Sequence, residues 1–209
     1  VLKLQFDGLT GAPKKAESNR RNLIDFLPTD LKVFTTTGHR PGTKSPDGKY
    51  TPGFNIEGLA AGPSGSLYVG LRSPLGHDGK AQVLRLEPAA ALHAASGSLT
   101  LPVAAELNLE GRGIRGMCRD DEKKGYWIIG GIAPDPDVPD PALPNNWAIW
   151  FWDGSSADPQ KKFDHTLVPS VENPEAIALV PGAKSLLLIS DDGGGHPSSY
   201  ALIPFALMP

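Results

Sequence analysis

The feature that most restricts what this chain can fold into is an internal repeat. NIEGLAAGPSGSLYVGLRS at 55 to 73 and NPEAIALVPGAKSLLLISDDG at 173 to 193 share one layout: Asn, one residue, Glu, a small residue, apolar positions, a Pro/Gly turn, then an apolar run. RGIRGMCRDDEKKGYWIIGG at 112 to 131 has the same hairpin, with Arg115-Gly116-Met117 standing where Glu57-Gly58-Leu59 and Glu175-Ala176-Ile177 stand. The anchor positions 57, 115 and 175 are 58 and 60 residues apart. A near-constant period of this kind marks a unit that buries its apolar surface against copies of itself.

Each period continues with two more strand candidates, Ala81 to Glu87 and Leu99 to Leu107 in the first, Trp147 to Trp152 and Phe163 to Val168 in the second. Four strands per period predicts an all-β fold of the β-propeller type, with four-stranded blades about 60 residues apart. The second strand of each unit, Leu67 to Leu71, Tyr126 to Ile129 and Leu186 to Ile189, is apolar on both faces, as a strand sandwiched between neighbouring sheets must be. The competing architecture is a β-sandwich with accidental hairpin similarity. Propellers close with about 4 to 8 blades, so the expectation is an incomplete propeller of a six-bladed type. Residues 1 to 53 supply a partial blade and connecting loops, and residues 54 to 209 supply two full blades and a partial third. The missing blades of the same protein are then its expected partners. Helical periodicity is confined to two short stretches, Ala16 to Leu27 and Pro88 to Ser96.

Composition supports a turn-rich β protein and removes some functions. Gly (24) and Pro (21) make about a fifth of the chain and punctuate the apolar runs at short intervals. A net charge of −3 with scattered basic residues offers no stripe for phosphates, so no nucleic-acid partner is expected. No run approaches the roughly 20 apolar residues of a membrane-spanning helix. The single cysteine, Cys118, excludes an internal disulfide. Val1 to Phe6 alternates like a strand without a signal-peptide pattern, and the sequence reads as an internal start.

Antiparallel pairing places the start of a hairpin's first strand beside the end of its second. Glu57 should therefore neighbour Arg72, and Glu175 should neighbour Asp191. The face that carries them also collects Arg112, Arg115, the loop from Ser73 to Lys80 with His77 and Asp78, the loop from Ala133 to Asn146, and the loop from Asp191 to Ser198 with His196. Glu57 with Arg72 is an ion pair that braces a hairpin. Glu175, Asp191 and Asp192 beside Asn173 would repel one another unless a cation or protons neutralise them, and hard oxygen ligands select Ca²⁺ or Mg²⁺ over zinc. The alternative is that Asp191-Asp192-Gly193 is a solvated turn and Arg115 balances Glu175. His77 and His196 are candidate general acids or bases if they reach the channel. Gly-x-Ser-x-Gly is absent, and no motif surrounds Cys118, so nucleophilic catalysis has little support. Trp147, Trp150 and Trp152 are expected to pack between blades on one face of a third strand.

FNIEGLA with LYVGLRSPL, LNLEGRGIRGM, WAIWFWDG, and NPEAIALVPG with LLLISDDGG resemble the carboxy-terminal part of an uncharacterised bacterial propeller family, a domain of unknown function. The likeness covers about residues 50 to 205. The Glu-Gly-apolar-Ala hairpin with its Pro-x-Gly turn and Leu-Tyr-Val run is also similar to that of esterase-like phytases and calcium-dependent lactonase propellers. That resemblance implies Ca²⁺ held at a central channel, hydrolysis of phosphate or lactone esters, and export to the periplasm or outside the cell. The expected function is a metal-assisted hydrolase of small ester or phosphoester substrates. In it Glu57, Asn173, Glu175, Asp191 and Asp192 hold the cation, and Arg72 and Arg115 stabilise developing negative charge, with His77 and His196 in support. The competing class is a non-catalytic propeller that binds a ligand or protein partner on the same face, its charged ring structural.

Overall fold

A computed structural model describes residues 2–6, 13–18, 54–87, 101–133, 147–180, 182–191 and 198–208. Among these the chain is all-β, with short 3-10 turns and no α-helix, and no helix is long and apolar enough to cross a membrane. Three antiparallel meanders follow one another. The first has the order β3 (Asn55–Ala61), β4 (Leu67–Ser73), β5 (Ala81–Leu86) and β6 (Val103–Leu107). The second runs β7 (Arg112–Asp120), β8 (Gly125–Ile132), β9 (Ala148–Trp152) and β10 (Gln160–Asp164). The third has three strands, β11 (Pro174–Val180), β12 (Ser185–Ser190) and β13 (Tyr200–Pro204). A separate hairpin joins β1 (Leu2–Phe6) to β2 (Pro13–Ser18).

Local chemistry sets the hairpins. In the β3–β4 turn Ser64 and Gly65 take positive φ, and the Gly62 amide donates to the Ser66 carbonyl at 2.9 Å. In the β7–β8 turn the buried Asp120 carboxylate accepts from the Lys123 amide at 2.8 Å and from the Trp127 indole at 2.9 Å, so its burial leaves neither oxygen unsatisfied.

Strand alternation then divides the apolar residues into three cores. Ala60, Tyr68, Ala81 and Val83 of the first sheet meet Ile114, Met117, Tyr126, Ile128, Trp150 and Trp152 of the second. On the opposite face of the second sheet, Trp127, Ile129, Ile149 and Phe163 meet Ile177, Leu186, Leu188 and Ile203 of the third. Val69, Leu71, Leu84 and Leu86 form a third cluster on the other face of the first sheet. All of β8 is buried, which explains its continuous apolar run. Backbones approach closely where glycine allows it: a Cβ on Gly58 or Gly70 would lie 2.7 or 2.6 Å from Ile114 Cγ2, so the Ile114 side chain occupies the space left by that cross-strand glycine pair.

The structure corrects several details of the sequence reading. The strand expected over Phe163 to Val168 is Gln160–Asp164, because the Asp164 carboxylate accepts from the Thr166 amide at 3.1 Å and caps a 3-10 turn that leaves the sheet. β6 spans Val103–Leu107, and before it Pro102, which has no amide to donate, still accepts from the Arg85 amide at 2.9 Å; residues 99 and 100 of the expected strand lie outside the described residues. Residues 16 to 18 of the expected helical stretch belong to β2; the rest of that stretch, and Pro88 to Ser96, lie outside the described residues. The three tryptophans do not share a face: Trp150 and Trp152 join the first core, whereas Trp147, an odd number of residues away, joins the second. Among the described residues, the two faces of β12 are covered unequally: Leu186 and Leu188 are buried, Leu187 is half-buried and Ile189 is 42% exposed.

Replacing Ile114 with Ala should cost about 3 kcal/mol, and Gly70→Ala about 1 to 3 kcal/mol by overpacking against Ile114. In the double variant the new methyl group occupies part of the vacated space, so its loss should fall well below the sum of the two single losses. Urea unfolding midpoints at unchanged m-value measure this; additive losses would show that Ile114 does not seat on the glycine pair.

Candidate functional site

The anchor residues of the repeat have a common backbone cause. In β3 and β4 the register passes from Ile56 opposite Leu71 to Gly58 opposite Gly70, so Glu57 has no partner across the ladder. Arg115 is skipped in the same way between Ile114 opposite Gly130 and Gly116 opposite Ile129. Glu175 is skipped between Pro174 opposite Ser190 and Ala176 opposite Ile189. Each is the extra residue of a bulge, a device that bends the strand and re-aims one side chain. A complementary slip in β4 leaves Arg72 unpaired between Leu71 and Ser73.

These four residues come together. Arg115 Nη2 donates to Glu175 Oε1 at 2.6 Å, and Arg115 Nε lies 3.6 Å from Glu57 Oε2. Glu57 Oε1 accepts from Arg72 Nη1 at 3.0 Å and from Asn55 Nδ2 at 2.9 Å. Arg72 Nε reaches the neighbouring sheet and donates to the Ile132 carbonyl at 3.1 Å. The ring thus links all three sheets and alternates in sign, with two guanidinium groups against two carboxylates. Burial is graded: the side chains of Arg115 and Arg72 are 7% and 10% exposed, those of Glu57 and Glu175 22% and 46%. Two glycines make the approach possible. A Cβ on Gly131 would lie 2.4 Å from Arg115 Cδ, and one on Gly113 would lie 1.9 Å from the Arg72 carbonyl oxygen.

Not every predicted residue joins this cluster. Glu57 and Arg72 are in contact, whereas Glu175 is paired with Arg115. Asn173 precedes β11, and exposed Asp191 follows β12 by one residue. Asp192 and His196 lie outside the described residues, as does the loop at 134 to 146. His77 stands in an exposed turn, where its Nδ1 is 2.8 Å from Asp78 Oδ2 and its amide donates to Glu106. Arg112, at the start of the same strand, donates to Glu110 Oε2 at 3.0 Å and lies 5.7 Å from the Trp150 ring. Lys161 reaches the same Glu110 oxygen at 2.9 Å, and that hydrogen bond is the main reason the Glu110 carboxyl is held below its usual range.

Asn55 has a larger part than the sequence suggested, since it holds the Glu57 oxygen that Arg72 also takes. The signal was present in the Asn-x-Glu start shared by two of the three hairpins. Among the described residues, no three His, Cys, Asp or Glu side chains gather as a metal-binding group. The Cys118 thiol is pushed up to about 12, chiefly by burial, so it carries no thiolate at neutral pH.

Arg115→Met should destabilise the protein by about 2 kcal/mol, because Glu57 keeps Arg72 on Oε1 while its buried Oε2 loses the cation beside it, whereas Glu175→Gln should cost less than about 1 kcal/mol at its half-exposed position. Chemical denaturation of both variants tests the ordering, which fails if the two losses are equal. Cys118 is half-buried with its thiol held in the protonated form, so it should react with a thiol reagent at pH 8 at least tenfold more slowly in the native protein than in urea, and equal rates would contradict that environment. Compared with known families and characterised proteins, the chain matches no family model and no curated protein.

Proposed function

We propose that the three sheets are successive blades of a β-propeller and that the chain serves as a non-catalytic binding scaffold whose charged ring is part of the hub. The observation that carries this reading is Arg115, a buried guanidinium that faces Glu57 and Glu175 from the sheet between theirs. Charge on both carboxylates is compensated within the protein. Glu57 Oε1 already accepts two hydrogen bonds, and a divalent cation that used Glu57 and Glu175 as ligands would have to displace Arg115 against like-charge repulsion. The ring therefore fits a structural role better than a metal centre. Like bulges at like positions, the in-order meanders and the shared apolar faces support the blade reading.

One observation favours the metal-assisted hydrolase. Glu175 gives a single oxygen to Arg115 and is 46% exposed, in a strand that begins just after Asn173 and pairs with one that ends just before Asp191. A Ca²⁺ or Mg²⁺ ion could be met there from the solvent side without Glu57.

Isothermal titration of the protein with Ca²⁺ should give no saturable heat, and para-nitrophenyl phosphate and para-nitrophenyl acetate should be hydrolysed no faster than in buffer, with or without the ion. Stoichiometric binding that Glu175→Gln abolishes, together with ion-dependent hydrolysis, would overturn the scaffold reading in favour of the hydrolase.

A further inference from the structure

At the end of the strands away from the charged ring, the seam between the first two sheets opens into a cavity of about 260 Å³. Its floor is Tyr68 of β4 and Tyr126 of β8, and its exposed rim carries Arg119, Asp121, Lys124 and Asp153. The two tyrosines are each 6% exposed. Their rings meet edge to face at 5.3 Å, and both pack on Trp152, at 5.4 and 5.2 Å. Packing thus fixes the rings without help from the hydroxyls. Among the described residues neither hydroxyl has a hydrogen-bond partner, and neither is sealed away from the cavity. A buried tyrosine hydroxyl ordinarily finds a partner, so here the partner has to come from the cavity. Burial, and after it the neighbouring Tyr68, push the Tyr126 hydroxyl up from its ordinary value, so it stays neutral and can both donate and accept. The next seam differs. There Lys123, beside Lys124 in the same turn, lays its ammonium 4.3 Å from the Phe205 ring and 4.8 Å from the Trp127 ring, and Trp127 is fully buried.

We propose that this cavity binds a neutral polyhydroxylated ligand the size of a single sugar ring. The rim sets the charge. Arg119 and Lys124 are matched by Asp121 and Asp153, so an anion would meet two carboxylates and a cation would meet a guanidinium and an ammonium. An apolar ligand would cover the tyrosine hydroxyls and leave them unpaired. A polyol satisfies every group. The Arg119 guanidinium is oriented by its own contacts, Nε to Asp121 Oδ1 at 2.6 Å and Nη1 to the Gly62 carbonyl at 3.1 Å, and Nη2 has no partner among the described residues. Asp153 Oδ1 accepts from the Ser155 amide and hydroxyl at 2.8 and 3.0 Å and from the Ser156 amide at 2.8 Å, and Oδ2 is left to accept from a ligand hydroxyl. The site therefore offers fixed donors, a fixed acceptor and two hydroxyls that serve as either. Its volume lies just under the roughly 300 Å³ at which clefts for drug-sized ligands begin, which suits one ring and not a chain of them. Groups already held by packing and by turn hydrogen bonds lose little freedom when the ligand arrives. The site needs only the first two sheets, and it stands under either reading of the charged ring.

Proton–nitrogen correlation spectra of the whole chain read the site directly, because Gly125 and Gly154 line the cavity and their amides report on it. The probes are glucose, mannose, galactose, N-acetylglucosamine and myo-inositol, with inorganic phosphate and choline chloride as the anion and the cation. At least one polyol should shift both glycine amides saturably, and phosphate and choline should not. The double variant Tyr68→Phe with Tyr126→Phe keeps both rings and removes both hydroxyls. It should weaken polyol binding about tenfold or more, since each lost hydrogen bond is worth about 1 kcal/mol. Its melting temperature should not fall, because the hydroxyls have no duty inside the protein. Silence at both glycines with every polyol, saturation by phosphate or choline instead, undiminished polyol binding by the double variant, or a clear fall in its melting temperature would each overturn the proposal.

Discussion

Arg115 lies in the middle of three sheets, between a glutamate of the sheet before and a glutamate of the sheet after. Its guanidinium is buried, and burial of a lone charge is so costly that the two carboxylates and the arginine constrain one another's positions. What lets this happen in an otherwise apolar stack is the bulge. A regular strand has only two faces, and on β7 both are needed for packing, toward the first sheet through Ile114 and toward the third through residues beside Ile177. Inserting one unpaired residue gives its side chain a direction that belongs to neither core. The same insertion in three hairpins places three such side chains side by side, and alternation of their sign removes the need for an outside counter-ion.

The ring also depends on residues that have no side chain. Gly113 lets the β7 backbone approach the Arg72 carbonyl, and Gly131 leaves the channel along which the Arg115 stem runs. Gly58 and Gly70 draw the first sheet close enough for Ile114 to fill the gap. Packing density and electrostatics are therefore linked: sheets held further apart would leave Arg115 unable to reach both Glu57 and Glu175. A larger residue at Gly58 or Gly70 would act on the charged ring through the spacing of the sheets, and one at Gly131 through direct contact with the Arg115 stem.

Hairpin order, period and the four-strand meander were legible in the sequence because each rests on local alternation and turn chemistry. The contact between Glu57 and Arg72 was legible for the same reason, since antiparallel pairing fixes which ends of a hairpin meet. The bulges were not, because a one-residue slip leaves the apolar pattern almost unchanged while it re-aims the skipped residue. Glu175 illustrates the result: simple pairing sets it beside Asp191, whereas its partner is Arg115, the alternative that charge balance alone had offered, and the slip is what aims it there. The end of β10 depended on one side chain, Asp164, which captures the next amide in preference to the ladder. Leu187 and Ile189 look the same in sequence as Leu186 and Leu188, and nothing in a single apolar run says that one face lacks a cover.

The third sheet is fastened to the second at both ends. At the ring, Glu175 is tied to Arg115. At the opposite end, Lys123 of the β7–β8 turn places its ammonium 4.8 Å from the Trp127 ring and 4.3 Å from the Phe205 ring, joining the second sheet to the turn that follows β13. Cation–π contacts at partly exposed sites are worth about 0.5 to 2 kcal/mol, and here the two rings also stack on each other at 5.4 Å. Between those ends Leu186, Leu188 and Ile203 are buried against the second sheet. One tie holds the start of β11 and the other the turn after β13, so the apolar contact between the sheets and the charged contacts at its two ends act together to fix the third sheet on the second.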